Sequence, residues 1–507
     1  MNDIIFIKGQ GGLGRPLAGE DYISGLLFYA DNADLPSGWD TSNRVRAIYS
    51  VVDAESKGIL SDSNDGTGAT FTYLITALGA TGDGLKLVYT GISGAQTIIS
   101  YKVASTETTI DLQGDAITAL INSTTYQTNV SASYNSGTNT ITITLPKSEG
   151  LFPNSGTPVV KTETGTFAGT LAQPSGGAPS KQAVWHYQIK EFFRLAPKGV
   201  LYVGFYEIPA TYDYTEVTLM QDFADGTLRQ VGVYVDDKAF DDGDLQVLND
   251  EIVANCDANH KPLSAIYAGD LSAVSDLSTL VNLNTYTANK VSCVISQDGA
   301  GLGNQLYLAN GKSVPTLGAC LGSVSFAAVS DDIAWVGKFN ISNGYECDTP
   351  AISNGELIKN IPVNSLNAIN NKRYVFLKKF VGLAGSYFND SHTSIIQSSD
   401  YAYIENNRTI DKAIRGVYSS VLPALNSPLQ LNSDGTLTDT TVAYFTSLAE
   451  VNLFEMLRNS EISAQQVTID PTQNVLSTNT LAISIQIVPI GVARQIEVTI
   501  GFTTNIS

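Results

Sequence analysis

The chain has 507 residues, with 29 Lys+Arg against 49 Asp+Glu and a formal net charge of −20. Charged residues are only 15% of it, against about 25% in an average soluble protein, so its surface is expected to be largely Ser, Thr, Asn and Gly. Hydrophobics at 43%, with 24 Tyr, 18 Phe and 3 Trp, exclude disorder over most of the length, and the acidic balance argues against nucleic acid as the main partner, because phosphate binding needs concentrated Lys and Arg.

At about 150 residues per domain the length suits roughly three domains. Residues 1–20 open with Ile4 and Phe6 alternating with Ile5 and Ile7, a strand-like period, and continue into Gly9, Gly11, Gly12 and Gly14. Those glycines spell the dinucleotide pattern GxGxxG, but no helical period follows them. They read as a flexible hinge rather than a cofactor loop. Residues 21–60 form a first core segment.

Composition changes near residue 61. Between Ser61 and Ser180 there is no Arg, Cys, Met, Trp or His, and period-2 segments recur, as in LKLVY at 85–89 and ITITL at 141–145. The turn NSGTN at 135–139 suits a hairpin, and one short helix is expected around Ile117, Leu120 and Ile121. Residues 61–180 are predicted to be an inserted all-β domain ending in the Pro/Gly-rich linker 173–179.

Residues 181–350 change rhythm again. Strands are predicted at 200–205, 230–235, 263–267 and 290–295. Between them, helical spacing joins Leu245, Leu248 and Ile252, and then Leu271, Val274, Leu277 and Val281. Strands alternating with helices imply βαβ units and a central parallel sheet. The acidic run Asp236, Asp237, Asp241, Asp242 and Asp244 lacks the order of a calcium loop and reads as a solvated loop with Asp244 as helix N-cap.

In residues 351–507 a helix carrying Ile410, Ile414, Val417 and Val421 stops at Pro423, and a second carries Val442, Phe445, Ala449, Leu453 and Met456. The period then falls to two. Ile483, Ile485 and Ile487 alternate with polar residues, and after 489–491 so do Ile496, Val498, Ile500 and Phe502, which predicts a terminal strand arm. The fold class expected is therefore a mixed α+β and α/β multidomain chain: a central parallel α/β sheet, a C-terminal helix-plus-β domain with strand arms, and an inserted all-β domain.

No motif specifies catalysis. His186, His260 and His392 are isolated from metal-ligand or triad spacings, and Gly299, Gly301 and Gly303 are expected in an irregular loop. No catalytic residue, metal or cofactor is expected. Cys256, Cys293, Cys320 and Cys347 have no CxxC pairing and read as buried thiols in a reducing compartment. The apolar run at 4–7 is too short for a signal-peptide core. The weakly apolar stretch Leu317–Val329 is shorter than the ~20 residues of a membrane span. Neither export nor membrane insertion is expected.

The run RTIDKAIR at 408–415, then LPALNSP at 422–428 and DGTL at 434–437, resembles the closing domain of contractile tail sheath proteins. Upstream, HYQIKEFFR at 186–194, LYVG at 201–204 and DIAWVG at 332–337 resemble a divergent sheath branch of phages and related injection machines, with weaker support from VDAE at 52–55. The resemblance implies a structural subunit, not an enzyme. Copies would stack as hexameric rings around an inner tube and contract to drive that tube through an envelope, with baseplate and tail terminator proteins as further partners. It places the chain in a virion tail or an injection apparatus assembled in the bacterial cytoplasm. Within it, 1–20 and the residues Ile496, Val498, Ile500 and Phe502 would be inter-subunit strand arms, and 21–60, 181–350 and 351–507 the sheath core. Arg373, Lys378 and Lys379, a basic group on an acidic chain, are candidates to face an acidic tube. The rival expectation, from the Thr/Ser-rich module and the tyrosines, is a secreted or surface adhesin or carbohydrate binder.

Overall fold

The strand that organises the molecule is Ile23–Tyr29, a run that the sequence periodicity does not single out. The computed structural model describes residues 21–127, 129–342 and 346–502. Across the main sheet the order is Val291–Val294, Ser264–Ala268, Gln230–Tyr234, Ile23–Tyr29, Val200–Tyr206 and Val45–Ile48. The first five run parallel, and Val45–Ile48 closes the edge antiparallel. Every residue of Ile23–Tyr29 is buried because both faces of the sheet are covered. Leu26 and Phe28 enter the core on one face, with Trp185, Phe192, Leu317 and Leu321. Leu27 and Tyr29 enter the other, with Met220, Leu245 and Leu248. Each such side chain, fully buried, contributes about 1.5–3 kcal/mol.

Helices Lys181–Leu195 and Leu317–Phe326 cover the first face and approach each other closely. A Cβ on Gly318 would stand 2.0 Å from the Gln188 carbonyl oxygen, and one on Gly322 2.7 Å from that of Phe192. The Gln188 side chain bridges the pair, accepting from the Gly318 amide at 2.7 Å and donating to the Pro315 carbonyl at 2.8 Å. The weakly apolar stretch is thus a helix made of small residues so that two backbones can touch. Among the described residues no helix is long and apolar enough to cross a membrane.

Three expectations fail locally. Residues 271–281 form turns and a 3-10 segment, Leu277–Thr279, instead of a helix. The Asp270 and Asp276 carboxylates accept from the Ser272 and Ser278 amides at 2.9 and 2.8 Å, and such side-chain bonds compete with helical ones. Asp244 is not an N-cap, since Gly243–Glu251 starts one residue before it. It is buried in the first turn, where it accepts from the Tyr267 hydroxyl at 2.9 Å and pairs with Lys238 at 2.7 Å. Gly301 and Gly303 lie at the start of a helix, Leu302–Asn310, and a Cβ on Gly303 would meet the Tyr187 hydroxyl at 2.7 Å.

Residues 70–171 build a β-rich unit with a core of its own. One antiparallel sheet has the order Ser131–Asn135, Thr140–Thr144, Thr70–Ala77, Ala168–Leu171, and the other Gly94–Lys102, Gly84–Gly91, Val159–Thr164. Phe71, Tyr73, Leu85, Leu87, Ile141, Ile143 and Phe167 share that core with Ile117 and Ile121 of helix Ile110–Asn122. Asp65 ties the unit to the body by accepting from the Lys181 amide at 2.9 Å, at the start of helix Lys181–Leu195.

The C-terminal part packs helix Ile404–Val421 against Asp439–Arg458 and against the two-stranded antiparallel ribbon Ile462–Thr468 with Ser484–Pro489. Leu453, Met456 and Ile462 form its small core with Ala413.

Candidate inter-subunit surface and the charged seam behind it

Helix Ile404–Val421 buries a charged face as well as part of its apolar one. Its apolar stripe leaves Ile414 and Tyr418 exposed, while Arg408, Asp411, Lys412 and Arg415 are buried. The spacing i, i+3, i+4, i+7 puts those four on one face, and each meets a partner from another part of the chain. Arg408 donates to the carbonyls of Ala327 and Ala328 at 3.2 and 3.1 Å. Asp411 accepts from Lys290 at 2.6 Å, which also stands 3.1 Å from Asp257. Lys412 stands 2.6 Å from both Asp21 and Glu461, and Arg415 lies 3.3 Å from Asp21. Burial works against the Lys290 ammonium, but Asp411 and Asp257 hold its pKa above the usual lysine value. Burial pushes Asp257 up to about 6. This seam joins the C-terminal helices to the body, and it is made from the residues of the RTIDKAIR run.

Beyond the seam, the ribbon Ile462–Thr468/Ser484–Pro489 has one neighbour per strand, so each strand has an outer edge with no strand beside it among the described residues. Unpaired edges are templates for another chain, and a two-stranded ribbon is marginal by itself. Helix Asp439–Arg458 also leaves Tyr444, Val451 and Phe454 more than half exposed. These features lie on the C-terminal part, away from the sheet core.

The terminal arm forms no strand among the described residues: 490–502 have no strand partner there. Ile496, Val498, Ile500 and Phe502 are 79, 73, 90 and 110% exposed. The alternation is present in sequence, but strand geometry needs a neighbour to accept its hydrogen bonds, and none lies beside it among the described residues. Ile4 and Phe6, and the hinge residues Gly9, Gly11, Gly12 and Gly14, lie outside the described residues.

The basic group is dispersed. Arg373 is buried, not surface-facing: its guanidinium donates to the carbonyls of Thr393, at 2.9 Å, and Ala402, and lies against the Tyr403 ring. Both carbonyls also accept main-chain amides, from Ile395 at 2.9 Å and from Thr393 at 3.2 Å. Lys378 is half-buried, and burial pushes its pKa down. Lys379 is exposed beside Asp348 at 3.7 Å. Of the three, Lys379 is the one exposed to solvent, with its ammonium also donating to the Asp348 carbonyl at 2.6 Å.

The histidines have structural neighbours. His186 lies 2.9 Å from Glu55, His260 stacks on Tyr418 at 4.3 Å between ring centres, and burial pushes His392 down to about 4. All four cysteines are buried free thiols. Burial lifts Cys256 to about 11, which leaves it a poor nucleophile. Among the described residues no group of His, Cys, Asp or Glu is arranged to hold a metal ion. Sequence reasoning missed one residue, Arg494, which binds three carboxylates at the base of the exposed tail. A lone cation in the apolar run IGVARQIEV was the available signal.

Comparison with known proteins gives two family matches: DUF2586, N-terminal domain, over residues 1–392 and DUF2586, C-terminal domain, over 400–507. No curated protein matches the chain. Among solved structures, the chain is similar to the contracted helical sheath of the anti-feeding prophage (14% identity, TM-score 0.44, 63% of this chain and 81% of that one). It is also similar to the contracted PVC sheath complex of an extracellular contractile injection system (13%, 0.39, 63% and 80%). A sheath tail protein from Listeria innocua matches over more of the length (10%, 0.37, 94% and 97%). With its two matches spanning nearly the whole sequence, the chain belongs to the DUF2586 family.

Proposed function

We propose that the chain is the structural subunit of a contractile tail sheath. Copies stack as rings around an inner tube, hold an extended lattice, and shorten into a more closely packed one that drives the tube forward. The observation that carries this reading is the tail 496–502: four apolar side chains at alternate positions, all exposed, following in sequence a ribbon whose outer edges have no strand beside them among the described residues. In a lone subunit both are liabilities. In a lattice they complete each other, because an added strand supplies main-chain hydrogen bonds while its alternate side chains fill pockets.

Ile4 and Phe6 offer the same period for a second arm, with Gly9, Gly11, Gly12 and Gly14 as its hinge. The energy for shortening is the difference in contact free energy between two lattices, multiplied over many subunits, so the mechanism does not rely on a nucleotide. Lys379 is the residue assigned to an acidic tube surface, and baseplate and terminator proteins would cap the stack. Electron microscopy of the purified chain tests the reading. Rings or hollow rods support it, and discrete particles at every concentration retire it. Lys379→Glu in a chain co-expressed with the tube protein tests the tube contact, since unchanged tube retention removes it.

A further inference from the structure

Among the described residues, one main-chain amide between 490 and 502 finds a main-chain acceptor, Arg494 to the Val492 carbonyl at 3.1 Å. The tail is held to the body by a side chain instead. The Arg494 Nε donates to Asp390 at 3.0 Å, and its terminal nitrogen reaches Glu405, Asp332 at 3.3 Å and the Ser391 hydroxyl at 3.4 Å. The guanidinium carbon lies 3.5 Å from the centre of the Tyr403 ring. Asp332, Asp390 and Glu405 come from three separate segments: the loop after helix Leu317–Phe326, the loop after the short strand Tyr387–Phe388, and the first turn of helix Ile404–Val421. One planar group with five donors joins all three, a geometry that an ammonium does not reproduce.

The surroundings make this arginine hard to release. Asp332 and Glu405 are buried, and the other charged or titratable groups close by are Asp390, His392, 3.8 Å from Asp390, Lys378, Arg373 and Tyr403. Arg373 is already bound to backbone carbonyls. Withdrawing Arg494 would leave three carboxylates together with their best counter-ion gone. Among the described residues past Gln495 no comparable anchor is present, and the side chains from Ile496 to Phe502 point largely into solvent.

We propose that Arg494 anchors the base of the tail to its own subunit, so that residue 495 is the fixed point from which the tail crosses to a second copy of this chain. The proposal rests on the sheath reading for the identity of the acceptor, but the anchor itself is a property of the single subunit. The tail then behaves as a short tether with a fixed origin. Rotation of the subunit body is taken up beyond residue 495, and the joint between neighbours need not be broken and remade.

Arg494 is also a trypsin site, and this gives a direct test on the full-length chain. In the clasp its side chain is occupied and the bond after it is protected, so cleavage reports the population of the released state. The rate of appearance of the 495–507 peptide is followed by mass spectrometry in the unassembled wild type, in Glu405→Gln and in Arg494→Lys, which keeps both charge and cleavage site. Both variants are expected to release the peptide at least about tenfold faster than wild type, while cleavage at the remote Lys102 is unchanged. Equal rates after residue 494 in all three overturn the anchor. If the wild type fails to form rings or rods but the rates differ as expected, the sheath reading fails while the anchor stands.

Discussion

The Lys412 ammonium lies 2.6 Å from Asp21 and 2.6 Å from Glu461, so a single buried charge links the entry to the central strand with the ribbon that follows the last long helix. The three side chains are 9, 18 and 10% exposed. Removing the cation from such a site leaves two carboxylates with too little solvent to stabilise them. Lys412→Met is expected to destabilise the chain by about 3–5 kcal/mol in denaturant unfolding. Lys181, which pairs with Asp34 at 2.8 Å in a far wetter setting, provides the contrast: Lys181→Met should change stability by less than about 1 kcal/mol. Equal effects for the two would contradict the seam.

Gly318 offers a test whose sign is opposite to helix propensity. Alanine in a helix interior is favoured over glycine by about 0.8–1.0 kcal/mol. Here the new Cβ would sit 2.0 Å from a backbone oxygen of the facing helix, and backbone cannot move aside as a flexible side chain would. Gly318→Ala should therefore destabilise, by about 1–3 kcal/mol, with a lower Tm. A stabilised variant would show that the two helices are farther apart than described.

Asp332, a member of the Arg494 clasp, and His392 beside it titrate in opposite senses. Burial, with Glu405 and Asp390 nearby, pushes Asp332 up to about 7. Its protonated form is favoured in the fold, so its contribution is full below the unfolded carboxylate pKa of about 4 and is lost as pH rises through about 7. Burial, with Arg373 and Arg494, pushes His392 down to about 4. Its contribution is present above about 6.5 and is lost as pH falls through about 4. Relative to wild type, Asp332→Asn should gain stability as pH rises between these limits, and His392→Asn should gain as pH falls, each by up to about 1.4 kcal/mol per unit. Urea unfolding at a series of pH values reads both slopes. Parallel slopes for the two variants would contradict the assignment.

Much of the sheet was legible because parallel strands buried on both faces read as apolar runs, as at Val200–Tyr206 and Gln230–Tyr234. Ile23–Tyr29 escaped notice although it sits at the centre. Its Ser24 and Gly25 interrupt the run, and Gly25 is small because Val231, Leu228 and Met220 crowd the position. Residues 271–281 carried a helical period without a helix: Leu271 and Leu277 reach the core from turns that Asp270 and Asp276 stabilise locally. Helix Ile404–Val421 was visible in its apolar stripe, yet it also buries a charged face, and only partners such as Asp21, Lys290 and Glu461, remote in sequence, make that burial possible. For the same reason Arg373 looked like a surface charge and is an interior one. The Arg494 clasp draws its carboxylates from 89 positions away at Glu405, 104 at Asp390 and 162 at Asp332. No local pattern encodes it.

In the proposed lattice the tail is completed by another copy. The most direct measurement is electron microscopy of the full chain beside one that stops at Gln495, at matched concentration and with matched unfolding curves. The full chain should form rings or hollow rods, and the shortened one should remain discrete folded subunits. Identical cylinders from both would contradict the account.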